Sequence, residues 1–208
     1  MSKLSLENLE KKSETPYIAV YKADYKNNMT GRDKRYDFIS RNRHLTADTV
    51  GRDVPSSAVA LLVVDREKRR ILLTKEFRMT VNRYLLSIPA GLIDPGENAL
   101  DAIGRELREE TGYIADKAFI LPASYSCIGL TDEKVNAAIV TVKGHQEQEL
   151  DDNEDITYQW YSYEEAYNRC LDPEVQIGAR AQLLILLWCL KELRPDFDER
   201  MHSVEKTL

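Results

Sequence analysis

The chain has 208 residues, of which 43% are hydrophobic and 31% charged, and its formal net charge is −6. This length and composition indicate a globular protein of one domain, or of one domain with an extension, and exclude an intrinsically disordered chain. The acidic balance, without a basic patch interleaved with aromatic residues, argues against a nucleic-acid partner, whereas a small anionic substrate is compatible with a site where a metal ion supplies positive charge.

The N-terminal quarter divides into three stretches. Residues 1–15 are polar and rich in lysine and glutamate, so we expect a weakly ordered arm or a short helix there. Residues 16–43 are rich in aromatic and β-branched side chains with partial alternation, which predicts two or three strands of a small antiparallel sheet. Residues 42–55 are polar and indicate a linker. We therefore predict an N-terminal arm and sheet at residues 1–50 and a second domain at residues 51–208.

The second domain mixes strands and helices. The continuous apolar run at residues 57–65 predicts a strand that is buried on both faces. Similar patterns predict further strands at 70–78, 84–90, 119–121, 124–128, 135–142 and 156–161. Helices are predicted at 99–110, from Ser162 onward and at 179–193, and Gly112 is placed to end the first of them. Because no regular βαβ repeat is present, we predict the α/β class, with a mixed sheet and helices on both of its faces.

The helix predicted at residues 99–110 carries the chemically informative residues. At 100° per residue, Glu106, Glu109 and Glu110 share one narrow arc, which we take to be exposed, and the core face is assigned to Leu100, Ile103 and Leu107. Like charges near the C-terminal end of a helix are unfavourable unless a divalent cation binds there. The all-oxygen ligand set, without His or Cys, favours Mg²⁺ or Mn²⁺ over zinc.

The loop before this helix supports the same interpretation. Gly91 and Gly96 allow a tight turn and a close backbone approach, and Glu97 can fold back toward the carboxylates. Arg105 can reach Glu109 one helical turn later and hold its carboxylate. Adjacent glutamates alone are more often a solvated helix face. The complete spacing favours a metal site instead. Five residues separate Gly91 from Glu97, and seven more separate Glu97 from the pattern Arg-Glu-x-x-Glu-Glu-x-Gly at residues 105–112.

Residues 91–113 match the Nudix box at every polar position, and the protein resembles a Nudix hydrolase. The resemblance implies an α/β/α sandwich and hydrolysis of a nucleoside diphosphate linked to another moiety, with Mg²⁺ as cofactor and Mn²⁺ as an alternative. It also implies a set of metal ligands: Glu106, Glu109 and Glu110, with the carboxylate of Glu97 and the carbonyl of Ala90 as further candidates. Arg105 and Glu109 are assigned to the catalytic group as well.

The flanking segments resemble the ADP-ribose pyrophosphatase branch of that family. The similarity lies in residues 39–41, 76–78, 88–97, 129–133 and 153–156. One position departs from the branch, because Ile128 stands where a proline that marks ADP-ribose specificity is usual. The substrate therefore stays open between ADP-ribose and flavin, nicotinamide or sugar nucleotides.

Substrate contacts are assigned to four residues. Arg41 and Arg78 are predicted to bind phosphates or the terminal ribose, with surface salt bridges as the alternative. Glu133 is predicted to bind substrate or to position a water, unless it is a loop carboxylate without a role. Tyr25, or Tyr21 in its place, is predicted to stack on adenine, and strand packing is the alternative for both.

The general base is expected outside the box, because the box carboxylates are occupied by metal. Glu154 is our candidate, since it lies in the acidic loop at residues 145–155 and a flexible loop could bring it in when substrate binds. Other carboxylates of the same loop compete for this role: Glu147, Glu149 and Asp152. A merely solvated acidic loop is the remaining alternative.

Partners and location follow from the resemblance and from composition. In the branch that the chain resembles, the N-terminal sheet is exchanged between subunits, so we predict a homodimer through this sheet. The odd, widely spaced cysteines and the absence of a long apolar segment lead us to expect reduced thiols in a cytoplasmic protein that does not bind membranes. Two other functions stay open: a house-cleaning hydrolase of oxidised nucleoside triphosphates, and a nucleotide-sensing module that does not cut its ligand.

Overall fold

The computed structural model describes residues 2–193, and within them the chain forms eleven strands and three helices. The strands are β1 (Leu4–Glu14), β2 (Ala19–Asn27), β3 (Asp33–Ser40), β4 (Ser56–Asp65), β5 (Arg70–Arg78), β6 (Arg83–Ser87), β7 (Ala90–Leu92), β8 (Tyr113–Ile120), β9 (Ser124–Tyr125), β10 (Lys134–His145) and β11 (Ile156–Ser162). The helices are α1 (Ala99–Thr111), α2 (Tyr163–Leu171) and α3 (Ala179–Leu193). The described residues group into two compact units: residues 2–58 with 122–136, and residues 59–121 with 137–193.

The first unit contains the predicted N-terminal antiparallel sheet, in the order β1-β2-β3. The expectation of an arm or short helix before residue 16 is wrong, because β1 pairs along its length with β2, from Leu4 opposite Asn27 to Glu14 opposite Ala19. Composition gave no sign of this strand, since its side chains are mostly polar and exposed. Main-chain hydrogen bonds to a neighbouring strand stabilise it instead.

The second unit is built on a sheet in the order β11-β5-β4-β10-β8, with β6 beside β5 and β7 beside β4. Alternate residues of β4 face opposite sides of this sheet. One side packs against α1 in a buried cluster that includes Val59, Leu61, Val63, Ala102, Ile103 and Leu107. On the other side, Leu62 and residues of α3 line a cavity of about 260 Å³. The predicted mixed α/β class, with helices on both faces, is confirmed.

Two strand predictions near the edge of this sheet need correction. The strand expected at residues 119–121 begins much earlier, at Tyr113, as β8. The strand expected at residues 124–128 is reduced to the two residues of β9. Polar residues such as Asp116 and Lys117 obscured β8 because it is an edge strand whose outward side chains are exposed.

Helix α1 has well-defined ends. The Asn98 side chain accepts hydrogen bonds from two N–H groups of the first turn, and Gly112 closes the helix in the left-handed region with φ 69°, its N–H donating to the Arg108 carbonyl. The prediction that Leu100 belongs to the core is wrong, because this side chain is 58% exposed. At 100° per residue it lies above Gly104 and Arg108, with which it lines an open groove.

Replacing Gly112 by alanine is expected to lower the free energy of unfolding by about 2–4 kcal/mol, since an L-residue is strained in this region and steric conflict adds to that strain. A Cβ here would stand 2.2 Å from the backbone oxygen of Gln146. Urea denaturation measures the effect. Gly104→Ala is the matched control within α1, because a Cβ there meets nothing within 4 Å. It should stabilise the protein by up to about 1 kcal/mol. Equal stability of the two variants would contradict the argument.

Two expectations about the whole chain can be compared with the structure. Among residues 2–193, no helix is both long and apolar enough to cross a bilayer. All three cysteines are free thiols, with Cys127 exposed and Cys170 and Cys189 buried. Burial raises the pKa of Cys170 to about 11 and that of Cys189 to about 12. Both buried thiols are therefore kept in the protonated, poorly reactive form.

Candidate functional site

Arg105 is the centre of a network of carboxylates. Its Nη1 donates to Glu106 Oε1 at 2.8 Å and to Glu109 Oε2 at 3.0 Å. Its Nε and Nη2 form a two-pronged contact with Glu97, at 3.0 and 2.8 Å, and Nη2 also reaches the carbonyl of Leu92. One guanidinium therefore serves three carboxylates, so negative charge remains in excess around it.

The turn before α1 brings Glu97 back to this network. The N–H of Glu97 donates to the Asp94 carbonyl at 3.0 Å, and the N–H of Asp94 donates to Glu97 Oε2 at 3.0 Å. Gly96 has φ 87°, a conformation that glycine adopts without strain. The hydrogen bonds from Arg105 lower the pKa of Glu97, which keeps its carboxylate ionised. Asp-Pro-Gly-Glu is thus a turn that folds a carboxylate toward the middle of the following helix.

Gly91 lies flat against the Glu106 carboxylate. A Cβ built on Gly91 would stand 2.0 Å from Glu106 Cδ and 2.1 Å from each of its oxygens. Any side chain at position 91 would therefore displace this carboxylate. Close approach, rather than a special backbone angle, explains why a glycine stands here.

Glu110 is the most deeply buried carboxylate of the site. It is only 4% exposed, so the expectation that it lies on an exposed arc is wrong. Helical spacing places Glu106 and Glu110 beside Ile103, inside the arc that faces the sheet. The N–H of Ala90 donates to Glu110 Oε2 at 3.2 Å. Burial, followed by the charges of Glu106 and Glu76, raises the pKa of Glu110 well above its ordinary value.

The residues present fit a hard divalent cation. Burial also raises the pKa of Glu106, and the charges of Glu109 and Glu154 add to this effect while Arg105 opposes it. Two buried carboxylates that repel each other, with only oxygen donors around them, are the environment that such a cation stabilises. Among residues 2–193, no ready-made group of three metal-ligating side chains is present. Three of the predicted ligands (Glu97, Glu106 and Glu109) are hydrogen-bonded to Arg105.

The acidic loop at residues 145–155 is attached to the C-terminal end of α1. The N–H of Gln146 donates to the Gly112 carbonyl at 2.8 Å, and the N–H of Glu149 donates to the Glu109 carbonyl at 3.0 Å. These bonds satisfy carbonyl groups that a helix end leaves unpaired. The loop is therefore fixed to the helix that carries the predicted metal ligands.

Glu154 is exposed at the far end of this loop. Its Oε2 accepts from the N–H of Asp151 at 3.1 Å, and its own N–H donates to the Asp151 carbonyl at 2.9 Å. Burial is the main cause of the raised pKa of Glu106 and of Glu110, and the charge of Glu154 adds to both shifts. Of the competing carboxylates, Glu149 lies 3.8 Å from Arg108 Nε.

Sequence reasoning missed several residues around this loop. Glu76 acts electrostatically on Glu110, Gln148 donates to two backbone carbonyls, and the Tyr84 hydroxyl contacts Asp155. Only Glu76 carried a signal, because it belongs to segment 76–78, which resembles the ADP-ribose pyrophosphatase branch. Nothing in the pattern distinguished Gln148 or Tyr84 from ordinary surface residues.

Three of the predicted substrate residues lie in the first unit. Arg41 Nε donates to Glu133 Oε1 at 2.6 Å, and Ser126 Oγ donates to Glu133 Oε2 at 2.8 Å. Tyr25 is partly exposed on β2, whereas the alternative, Tyr21, is 1% exposed and its ring stacks on another side chain of the sheet. Tyr21 is therefore a packing residue in this structure.

The fourth predicted substrate residue, Arg78, ends β5 in the second unit. Its side chain is 55% exposed and lies 2.5 Å from Glu76 Oε1. The contact is the surface ion pair that we named as the alternative role. An exposed pair of this kind contributes little to stability, so Arg78 is free to change partner.

The chain is similar in sequence to known proteins. The sequence profile of the family described as NUDIX domain matches residues 54–184. An ADP-ribose pyrophosphatase of Bacillus subtilis is 35% identical over 111 residues, which cover 52% of this chain and 60% of that protein. An ADP-ribose pyrophosphatase of Saccharomyces cerevisiae is 32% identical over 136 residues, or 65% of this chain and 56% of that protein. The predicted resemblance is confirmed.

The extent of these matches differs between sequence and fold. The chain spans less than two thirds of the length of the curated relatives that it matches. A crystal structure of an ADP compounds hydrolase superposes with a TM-score of 0.72 and covers 93% of this chain and 97% of that one. Sequence identity in that superposition is 21%, so the structural match establishes the fold alone.

Proposed function

Because this chain belongs to the NUDIX domain family, we propose that it is a metal-dependent hydrolase of the diphosphate linkage in ADP-ribose or a related nucleoside diphosphate derivative. The products are a nucleoside monophosphate and a phosphorylated moiety. One observation carries the proposal: two buried carboxylates, Glu106 and Glu110, have raised pKa values beside a network in which three carboxylates share Arg105. This arrangement is unfavourable unless a cation is added.

The proposed cofactor is Mg²⁺, with Mn²⁺ as the alternative, held by carboxylates and one carbonyl: Glu97, Glu106, Glu109, Glu110 and the Ala90 carbonyl. When bound, it would neutralise the diphosphate and lower the pKa of a coordinated water. Arg105 keeps three of these carboxylates together, and Gly91 leaves the space that the Glu106 carboxylate occupies. The protein thus contributes carboxylates that Arg105 already gathers, and binding of the cation would complete the ligand set.

Glu154 is the proposed general base, which takes the proton from the attacking water. Its exposed carboxylate is free of the Arg105 network, and its charge acts on Glu106 and Glu110. The N–H of Asp151 accounts for one of its oxygens, so the other is available to a water. A base needs this combination of proximity and accessibility.

Substrate recognition is proposed for Arg41, Glu133 and Tyr25 in the first unit and for Arg78 in the second. The ion pair of Arg41 with Glu133 would bind a ribose hydroxyl and a phosphate by offering an acceptor and a donor together. Ile128, which replaces the usual proline, is 74% exposed. We assign to the region around it the discrimination between ADP-ribose and flavin, nicotinamide or sugar nucleotides.

A cytoplasmic homodimer through the N-terminal sheet completes the proposal. The sheet has an open edge at β1, and its unit exposes large apolar side chains that include Tyr17 and Met29. Open edges and exposed apolar groups favour association. Light scattering during gel filtration measures the mass, and a monomer at micromolar concentration would overturn this part.

A panel of diphosphate compounds, assayed with Mg²⁺ for release of AMP or another monophosphate, tests the activity. Cleavage of ADP-ribose or a related compound is expected. Faster cleavage of oxidised nucleoside triphosphates would favour the house-cleaning alternative. Binding without cleavage by the folded, metal-loaded protein would favour a nucleotide sensor and refute the hydrolase.

Replacing Glu154 by glutamine is expected to lower kcat by about a hundredfold, since the variant keeps the shape of the side chain but cannot accept the proton. Steady-state kinetics on the best compound of the panel measures this change. Asp152→Asn is the matched variant in the same loop and should keep kcat within about twofold if Glu154 is the base. The reverse order of effects would transfer the role of base to Asp152.

A further inference from the structure

The end of the acidic loop that follows Glu154 is fixed by two contacts with neighbouring strands. The Tyr84 hydroxyl donates to Asp155 Oδ2, and the N–H of Phe77 donates to the Asp155 carbonyl at 3.0 Å. Tyr84 stands opposite Phe77 in the ladder of β5 and β6, and the two rings pack edge to face with centroids 5.3 Å apart. The residue next to Glu154 is therefore attached to a rigid strand pair.

The beginning of the loop is fixed by the half-buried side chain of Gln148. Its Nε2 donates to the carbonyl of Glu110 at 2.5 Å and to the carbonyl of Ile156 at 3.1 Å. Both amide hydrogens are therefore used. One bond attaches the loop to α1 at a proposed metal ligand, and the other joins the two ends of the loop to each other.

These contacts leave Glu154 between two fixed points. On one side, Gln148 attaches the loop to α1 at the Glu110 carbonyl, and the N–H of Glu149 donates to the Glu109 carbonyl at 3.0 Å. On the other side, Asp155 is attached to β5 and β6 by Phe77 and Tyr84. The contacts made by Tyr84 and Gln148 therefore limit movement at both ends of the loop.

We propose that Tyr84 and Gln148 are positioning residues, which hold the two ends of the acidic loop and thereby fix the position of the Glu154 carboxylate relative to α1. The inference rests on the proposed function, because it takes Glu154 as the general base. Neither residue needs to touch the substrate. Their effect is on the geometry of proton transfer, where a displacement of about 1 Å can cost a hundredfold in rate.

Tyr84→Phe is the primary test. The ring keeps its packing against Phe77 and its contact with Lys75 Nζ, which lies 4.9 Å from the ring centroid, and only the hydroxyl bond is lost. We expect kcat to fall by about tenfold with KM unchanged. In a Glu154→Gln background the same change should have no further effect, because the group that it positions is already inactive. A full tenfold fall in both backgrounds would overturn the proposal.

Gln148→Met is the second variant, since methionine has a similar length but no amide hydrogens. We expect the same pattern of a lower kcat and an unchanged KM. Tyr158→Phe is the control, because its hydroxyl is hydrogen-bonded at 2.8 Å to Nε2 of His145, the last residue of β10, and takes no part in the hydrogen bonds of Tyr84 or Gln148. It should keep full activity. An equal fall in this control would overturn the assignment to Tyr84.

Hydrogen exchange gives a readout that is independent of activity. In Tyr84→Phe and Gln148→Met, amides of residues 149–156 should exchange about tenfold faster than in the unmodified protein. Unchanged exchange would overturn the inference. If Glu154→Gln keeps full kcat, the proposed base fails, and the inference fails with it. If Glu154→Gln loses activity while both loop variants keep it, only the inference fails.

Discussion

Replacing Glu110 by glutamine is expected to lower kcat by about three powers of ten and to make the metal-free protein more stable. The loss of activity is expected because a proposed ligand of the metal becomes a neutral amide. The gain in stability follows from burial, since Glu110 is only 4% exposed and its charge lies beside those of Glu106 and Glu76. Glutamine can still accept the hydrogen bond from the N–H of Ala90, so the local structure is kept.

The pH dependence of stability separates this effect from ordinary packing changes. The raised pKa of Glu110 means that the folded state retains a proton that the unfolded chain releases. The free energy of unfolding of the metal-free protein should therefore fall as pH rises from the ordinary glutamate value toward the raised one. In Glu110→Gln this fall should be smaller. Urea denaturation in the presence of a chelator, across this pH range, measures it.

Addition of Mg²⁺ should make the unmodified protein more stable than Glu110→Gln, which is the reverse of the order expected without metal. Binding to the folded state stabilises the unmodified protein, whereas the glutamine variant binds the ion weakly and gains little. Glu164→Gln, an exposed glutamate of α2, serves as the control and should match the unmodified protein in both assays. Full activity of Glu110→Gln would refute its assignment as a metal ligand.

Replacing Arg105 by methionine is expected to lower kcat/KM by about a hundredfold and the free energy of unfolding by about 2 kcal/mol. The variant removes the five hydrogen bonds that Arg105 donates to three carboxylates and to the Leu92 carbonyl, while methionine retains the apolar stem. The carboxylates then repel one another without a compensating charge. The expected loss of stability is moderate because the Arg105 side chain is 24% exposed, so water partly screens its charge.

Arg108→Met is the matched control on the same helix. Its ion pairs with Glu109 and Glu149 are long, at 3.7 and 3.8 Å, and its side chain is 42% exposed. Pairs of this kind contribute about 1 kcal/mol or less. Kinetics and denaturation of both variants should show a large effect at position 105 and a small one at 108. Similar effects at the two positions would mean that the network around Arg105 has no special role.

The helix that carries the site was predictable from local signals. Its start follows an asparagine cap, its end is set by Gly112, and both features are written in neighbouring residues. The spacing of Glu97, Arg105 and the three helix glutamates was informative for the same reason. A short stretch of chain determines all of these relations.

Features that depend on distant parts of the chain were not predictable in this way. The burial of Glu110 depends on β7, whose Ala90 N–H approaches it from twenty positions earlier. Strand β1 exists because β2 pairs with it, although its own composition is that of an exposed arm. The contacts of Gln148 and Tyr84 likewise join segments that only the fold brings together. Periodicity within a segment carries no information about such neighbours.

The first unit is built from two stretches of sequence that lie far apart in the chain. Segment 122–136, far along the sequence, is hydrogen-bonded to β3: the N–H of Ile39 donates to the Leu130 carbonyl, and the Tyr36 hydroxyl donates to the Gly129 carbonyl. The N-terminal sheet is therefore not a portable module. A chain shortened to begin at residue 59 would leave segment 122–136 without the strand edge that orders it. Exchanging this sheet between relatives requires two stretches of sequence to be transplanted together.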